Sequence, residues 1–296
     1  MEERKLIYRA YDENVLNRIK ETEKQILKKY IEICEKYNLK YFLTFGTLLG
    51  AIRHQGFIPW DDDIDVGMPR EDYEKFLEIA QKECGEEYFL QTIETDPEYH
   101  LYFAKLRLNH TRFVENSLQN AASVTGFYID IFPFDEVADE DKEMKKQLQE
   151  AVRWGMLLSV YKVKEPQIGQ YGTVKTAIMK MIWYTLHYGM HMMKMSDQYL
   201  WNKCRKSFMR NLKKGCQRMT TFAADAEKWM IYQKEIESLI DVPFEELNVK
   251  IPCGYDAILK RCYGEYMKLP DEKDRVNHMP VEIQFPGEEV ITFGRE

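Results

Sequence analysis

Residues 41–70, YFLTFGTLLGAIRHQGFIPWDDDIDVGMPR, leave the chain few ways to fold. They predict a strand, a tight turn, a short helix, a second turn and a second strand. Tyr41 to Phe45 is strand-like in composition. Gly46-Thr47 opens a helical run in which Leu48, Leu49 and Ile52 share a face. Gly56 stops that helix, and Pro59 keeps the chain from resuming it. The chain then re-enters as the strand Asp63-Ile64-Asp65-Val66. Side chains alternate along a strand, so Asp63 and Asp65 point one way while Ile64 and Val66 point into a core.

Two carboxylates on one face, a residue apart, repel each other, and a cation between them relieves the repulsion. Hard oxygens at this spacing suit Mg²⁺ or Mn²⁺, held by one or two carboxylates together with substrate phosphates. The unsatisfied N–H groups at the start of the helix, at Gly46 and Thr47, attract phosphate, and Gly46 lets the backbone come close. A metal pair beside a phosphate cradle makes a phosphoryl- or nucleotidyl-transfer site. Of the neighbouring acids, Asp61 falls on the same face as Asp63 and Asp65 if the strand begins early, as an outer contact. Asp62 points away, towards an N–H of the turn. A solvated acidic loop is the competing reading, and the flanking Trp60, Ile64 and Val66 weigh against it.

Gly-Thr, a short helix and Asp-x-Asp resemble the signature of the nucleotidyltransferase (DNA polymerase β-like) fold. The longer string GTLLGAIRHQGFIPWDDDIDVGM is similar, nearly residue for residue, to the LicD family, which includes bacterial phosphocholine transferases and fukutin-related protein. The resemblance implies an α+β fold with a mixed sheet flanked by helices. It also implies a third carboxylate on a later strand.

The chain has 296 residues and a formal net charge of −7, so it carries no global basic footprint for nucleic acid. Residues 1–10 lack the apolar run of a secretory signal. The six cysteines, 34, 84, 204, 216, 253 and 262, show no C-x-x-C pair, which reads as reduced thiols of a cytoplasmic protein. Asn109-His110-Thr111 matches a glycosylation sequon, silent in that compartment.

Residues 11–38 predict a long amphipathic helix packed behind the first strand, with Leu16, Ile19, Ile26, Leu27, Tyr30, Ile31 and Cys34 as its stripe. Arg70–Cys84 reads as a helix ended by Gly85, and 87–95 and 100–108 read as strands. On the second of these, Phe103, Lys105 and Arg107 share a face. Lys105 and Arg107 are candidates for a nucleotide's phosphates, against the plainer reading of a solvated sheet face; the resemblance favours function for Lys105. GFYIDIFPFDEV, 126–137, is a buried-type strand carrying an acid, a costly placement unless the acid is used. The resemblance places the fold's third carboxylate on this strand, which makes Asp130 the candidate third metal ligand or general base. Asp135 competes with it, but reads as a turn residue after Pro133.

Residues 1–150 are expected to form the catalytic core and 151–245 a helical insertion. Residues 246–296 are expected to complete the catalytic domain. Between 151 and 220 there are thirteen Lys and Arg against Glu165 and Asp197, a net charge of +11, leaving −18 for the rest. Nine of the fifteen methionines lie there too. Residues 177–193 are apolar and aromatic but too short and too polar to span a bilayer. Three readings stand: core packing of an insertion, an interfacial helix meeting anionic lipid, or a groove for an anionic glycan. Beyond these, 221–240 reads as a helix, 247–252 as a strand and 254–266 as a helix. The tail MKLPDEKDRVNHMP resembles the family's Leu-Pro followed by His, which puts Arg275 and His278 at the border of the site.

The mechanism implied is in-line transfer assisted by divalent metal on Asp63, Asp65 and Asp130. Gly46, Thr47, Arg53, Lys105, Arg107 and His278 serve the donor. By the resemblance, that donor is a CDP-alcohol such as CDP-choline, CDP-ribitol or CDP-glycerol. The acceptor is a glycan or its lipid-linked precursor, and CMP leaves. Aromatic residues such as Tyr41, Trp60 and Tyr128 could cage a quaternary ammonium. The alternatives are a nucleotidyltransferase and an inactive nucleotide- or glycan-binding scaffold. A glycosyltransferase also uses D-x-D, but without Gly-Thr one helix upstream.

Overall fold

The computed structural model describes residues 11–115, 123–166, 173–275, 277 and 280–293. Helix α1 (Glu13–Lys36) starts where the Asp12 carboxylate accepts the N–H groups of Asn14 and Val15. Its buried stripe runs through Ile19, Ile26, Leu27, Tyr30 and Cys34. Strand β1 (Phe42–Leu43) is shorter than Tyr41–Phe45, because helix α2 (Phe45–His54) begins at Phe45 itself. Strand β2 (Asp65–Pro69) passes directly into α3 (Arg70–Glu83). Then come β3 (Tyr88–Gln91), β4 (Ala104–Leu108), β5 (Arg112–Val114) and the ten-residue β6 (Tyr128–Val137).

The central sheet has the order β1-β2-β6-β4-β3, with β2 and β6 parallel and the other neighbours antiparallel. This is the α+β, nucleotidyltransferase-like architecture. Two kinds of row cross it. Val66, Ile131 and Ala104 make an apolar row, as do Leu90, Leu106 and Ile129. These join the main core, and α1 packs against β6 and β4. The rows between them carry the polar residues.

Helices α4 (Asp141–Lys162), α5 (Thr173–Met192) and α6 (Asp197–Phe208) follow. They share a smaller core of Ala151, Leu158, Val160, Met190, Leu200, Cys204 and Phe208. These helices fall within or overlap the segment expected as an insertion. Several of its cations clamp it to acids elsewhere: Arg205 to Glu74, Arg210 to Glu150, Lys213 to Glu71 and Arg218 to Asp141.

The expected helix at 221–240 is not formed. Strands β7 (Arg218–Thr220) and β8 (Ile231–Tyr232) flank a turn, with a 3₁₀ turn at Gln233–Glu235 after them. The reason lies in β6. Its ladder with β4 ends at Ile131, and β7 takes up the free edge from Asp135 to Val137. Ala, Glu and Lys favour a helix locally, but β8 instead satisfies the outer edge of β7, which pairing with β6 has set in place. Strands β9 (Leu239–Phe244) and β10 (Leu247–Pro252) form a hairpin. Helix α7 (Tyr255–Tyr263) and a small sheet of β5, β11 (Glu282–Gln284) and β12 (Ile291–Thr292) complete the chain.

Candidate active site

A row of polar residues crosses the sheet. Asp65 on β2 is in register with Asp130 on β6, Asp130 with Lys105 on β4, and Lys105 with Gln91 on β3. Adjacent strands lie about 4.8 Å apart, so these side chains project together from one face. All four are buried.

The row is electrostatically graded. Lys105 Nζ stands 2.8 Å from Asp130 Oδ1 and 3.6 Å from Glu115 Oε2. It also lies 3.5 Å from the centre of the Tyr128 ring, whose face attracts a cation. Burial pushes the Asp130 carboxyl up to about 6; Lys105 opposes that rise, and Glu115 and Asp63 add to it. The Tyr263 hydroxyl of α7 is raised above its usual range by burial, then by the charges of Asp65, Asp61 and Asp63. The Asp-x-Asp acids therefore gather between α7 and the Asp130–Lys105 pair. Glu115 and Tyr263 carried no motif; only the fold brings them beside these charges.

Helix α2 meets this cluster at its amino end. The Thr47 hydroxyl accepts the Asp65 N–H at 2.8 Å, and the Asp65 carbonyl accepts the Thr44 N–H at 3.1 Å. Thr47 thus locks the strand that carries the acid. Phe45 has φ +48°, a left-handed conformation costing a non-glycine residue about 1–2 kcal/mol. Its ring is held edge-on against Phe132 and Trp229, at 4.8 and 4.3 Å between centroids. A methyl group at Gly46 would come within 3.0 Å of Asp61 Oδ2. The Asp61 carboxylate therefore lies at the positive end of α2, a favourable place for an anion. Asp62 is buried and accepts the hydroxyl of Tyr11, the chain's first described residue.

The remaining candidates are placed as follows. Arg107 is buried and donates from Nε to Gln91 Oε1 at 2.6 Å and from Nη1 to the Gly126 carbonyl at 2.6 Å. These bonds direct it into the fold. Arg53 donates to His54 Nε2 at 2.9 Å and to the Tyr266 carbonyl at 2.9 Å, tying α2 to the loop after α7. Arg275 lies 4.5 Å over the Trp60 ring, next to Asp61. His278 lies outside the described residues.

Asp135 is a correction. It sits in β6, not in a turn, and forms a two-pronged ion pair with Arg70, both bonds at 2.7 Å and both side chains buried. Pro133 does not end the strand. It lies between the last β4 pairing at Ile131 and the first β7 pairing at Asp135, where its missing N–H costs no ladder bond.

The LicD/FKTN/FKRP nucleotidyltransferase domain family matches residues 38–154, from the end of α1 into α4. The lipopolysaccharide cholinephosphotransferase LicD of Haemophilus influenzae is 30% identical over 261 residues, covering 86% of this chain and 91% of that protein. The chain belongs to the LicD family. Human ribitol 5-phosphate transferase FKRP is 34% identical over 70 residues, 24% of this chain and 13% of its own. An uncharacterized Rickettsia typhi protein is 51% identical over 55 residues, 19% of this chain and 18% of its own.

The LicD-type site has the chemistry for a hard divalent ion. Its donors are carboxylate oxygens, and acids outnumber the Lys105 ammonium among the residues named. Among the described residues, no three acidic, histidine or cysteine side chains are gathered closely enough to hold a metal as they stand. Asp130 instead faces Lys105. The arrangement fits the sparse mode of binding, in which one or two carboxylates and substrate phosphates share the ion. A cleft of about 440 Å³ lined by Asn38, Leu39, Lys40, Asp72, Leu239 and Lys250 lies at the other end of β1 and includes none of the site acids.

Proposed function

We propose that this protein transfers a phospho-alcohol from a CDP-activated donor to a hydroxyl of a glycan or lipid-linked glycan, with release of CMP. Its LicD relative transfers cholinephosphate and FKRP transfers ribitol 5-phosphate, so the donor class is one of phosphorylated alcohols. The observation that carries the reading is the register of Asp65 with Asp130 on parallel strands, with Lys105 next in the row.

Asp63 and Asp65 would hold Mg²⁺ or Mn²⁺, with Asp130 as the third candidate ligand. When bound, the ion would neutralise charge on the transferring phosphorus and the leaving phosphate. Asp130, held near neutrality and hydrogen-bonding distance from Lys105, is suited to take the acceptor hydroxyl's proton. Lys105 offsets the negative charge that builds beside it. The amide end of α2 and Thr47 fix the distance between strand and pyrophosphate.

The test is a panel of CDP-choline, CDP-ribitol and CDP-glycerol, read first by thermal shift with and without Mg²⁺. A bound donor raises the midpoint by mass action. CMP release with an acceptor extract then follows. Stabilisation by one CDP-alcohol together with CMP release supports the reading. Pyrophosphate release with a nucleotide left on the acceptor would make the protein a nucleotidyltransferase. Binding without turnover would make it a scaffold.

A further inference from the structure

Helix α5 turns its apolar side outward. Inward it buries His187 and Met190, and Trp183 donates to the Val163 carbonyl at 2.7 Å. On the opposite side Val174, Ile178, Met181, Ile182, Leu186 and Met192 are between 43% and 84% exposed. Their spacing of three, four and seven residues puts them in one stripe along a helix about 30 Å long. No Asp or Glu occurs from 166 to 196, whereas Lys175, Lys180 and Lys194 do. These three lysines make no ion pair among the described residues, unlike Arg205 and Lys213, which pair with Glu74 and Glu71 of α3. No helix among the described residues is long and apolar enough to cross a membrane.

We propose that the outer face of α5 docks on an anionic lipid bilayer, lying in the interface with its apolar stripe among the acyl chains and its lysines at the headgroups. Charge complementarity selects this occupant. Residues 151–220 carry +11 and the remainder −18, so an anionic surface attracts this side and repels the rest. A second copy would instead bring one lysine-bearing face against another. An exposed apolar stripe on a helix whose lysines are unopposed by any Asp or Glu of its own is what interfacial binding requires. The inference is independent of the catalytic reading, because its readout is partitioning and not turnover.

The full-length protein is co-sedimented with vesicles of phosphatidylglycerol and phosphatidylcholine, and with phosphatidylcholine alone. Binding to the anionic vesicles that weakens with salt is expected, with little to the neutral ones. The variant I178E/I182E, with unchanged circular dichroism, should bind about tenfold more weakly, and K175Q/K180Q should weaken only the anionic binding. I240E, at an exposed apolar position away from α5, should bind as the wild type does. Absence of binding to anionic vesicles, or equal binding by I178E/I182E, overturns the proposal. So does a wild-type dimer that I178E/I182E makes monomeric without any vesicle binding. If I178E/I182E fails to fold, K175Q/K180Q decides.

Discussion

Lys105 and Asp130 face each other across the β4–β6 ladder, 2.8 Å from nitrogen to oxygen, both buried. Beside the pair, Glu115 and Asp63 both push Asp130 towards its neutral form, and Lys105 holds it back. The pair is therefore the point where the charge of the site is set. Breaking a buried pair by removing one partner costs about 3–5 kcal/mol, unless the stranded acid takes up a proton. Lys105→Met should thus lose part of that in urea unfolding and move the Asp130 titration upward.

The Asp130 carboxyl is raised to about 6, so a cation held there, as proposed above, would bind in a pH-dependent way. Its folded value lies above the ordinary carboxylate range, so between the two the folded state holds a proton that the unfolded state has released. As pH falls through about 6 the acid becomes neutral and a poor ligand. The Mg²⁺-induced thermal shift should therefore shrink below pH 6, and Asp130→Asn should flatten that dependence.

Asp63→Asn and Asp65→Asn keep side-chain volume and leave the backbone bonds of β2 to Thr44 and Thr47 in place. Each should fold as the wild type does, by circular dichroism, and lose about 100-fold or more in turnover, the scale at which single charge-stabilising groups act. Full activity in either variant would remove the metal assignment.

Asp135 and Arg70 give the contrasting case. Asp135→Asn leaves the buried Arg70 guanidinium only its ion pair with Glu74 at 3.1 Å and should destabilise the protein by up to about 3–5 kcal/mol. At a temperature where it remains folded, its CMP release should stay within a few-fold of wild type. Asp130→Asn should add a large loss of rate to a loss of stability, since it leaves the buried Lys105 ammonium only Glu115 at 3.6 Å.

Asp96 tests the support beneath the row. Its carboxylate accepts from Gln91 Nε2, Ser123 Oγ, the Val124 N–H and the Glu98 N–H, and Gln91 in turn orients Arg107. Burial would raise its pKa, but these bonds more than offset it and hold it below the usual range. A depressed folded value means the stability is present above the ordinary carboxylate pKa and disappears as pH falls through the folded one. Asp96→Asn should lower the unfolding midpoint at pH 7 and show less further loss on acidification than the wild type.

Much of this site was legible because it rests on local pattern. Alternation set Asp65 apart from the core side chains Ile64 and Val66, though β2 begins only at Asp65 and leaves Asp63 ahead of it, and the resemblance pointed to Asp130 as an acid on a buried-type strand. The bonds of Arg107 to Gln91 and Gly126 were not legible, for a physical reason. A cation on a strand face looks alike in sequence whether it meets solvent, a ligand or a buried glutamine. Asp135 misled because Pro133 suggests a turn, and nothing local reveals that β4 ends two residues before it and β7 begins two residues after.

The helix–turn–strand stretch and its acids were written into residues 41–70, since period and turn chemistry act over a few neighbours. Which acid pairs with a cation, which is spent on Arg70, and whether 221–240 coils or gives up β8 to β7 depended on strands distant in the chain. Hydrogen-bond edges and buried charges are satisfied by whatever the fold brings beside them, and only the assembled sheet fixes that company.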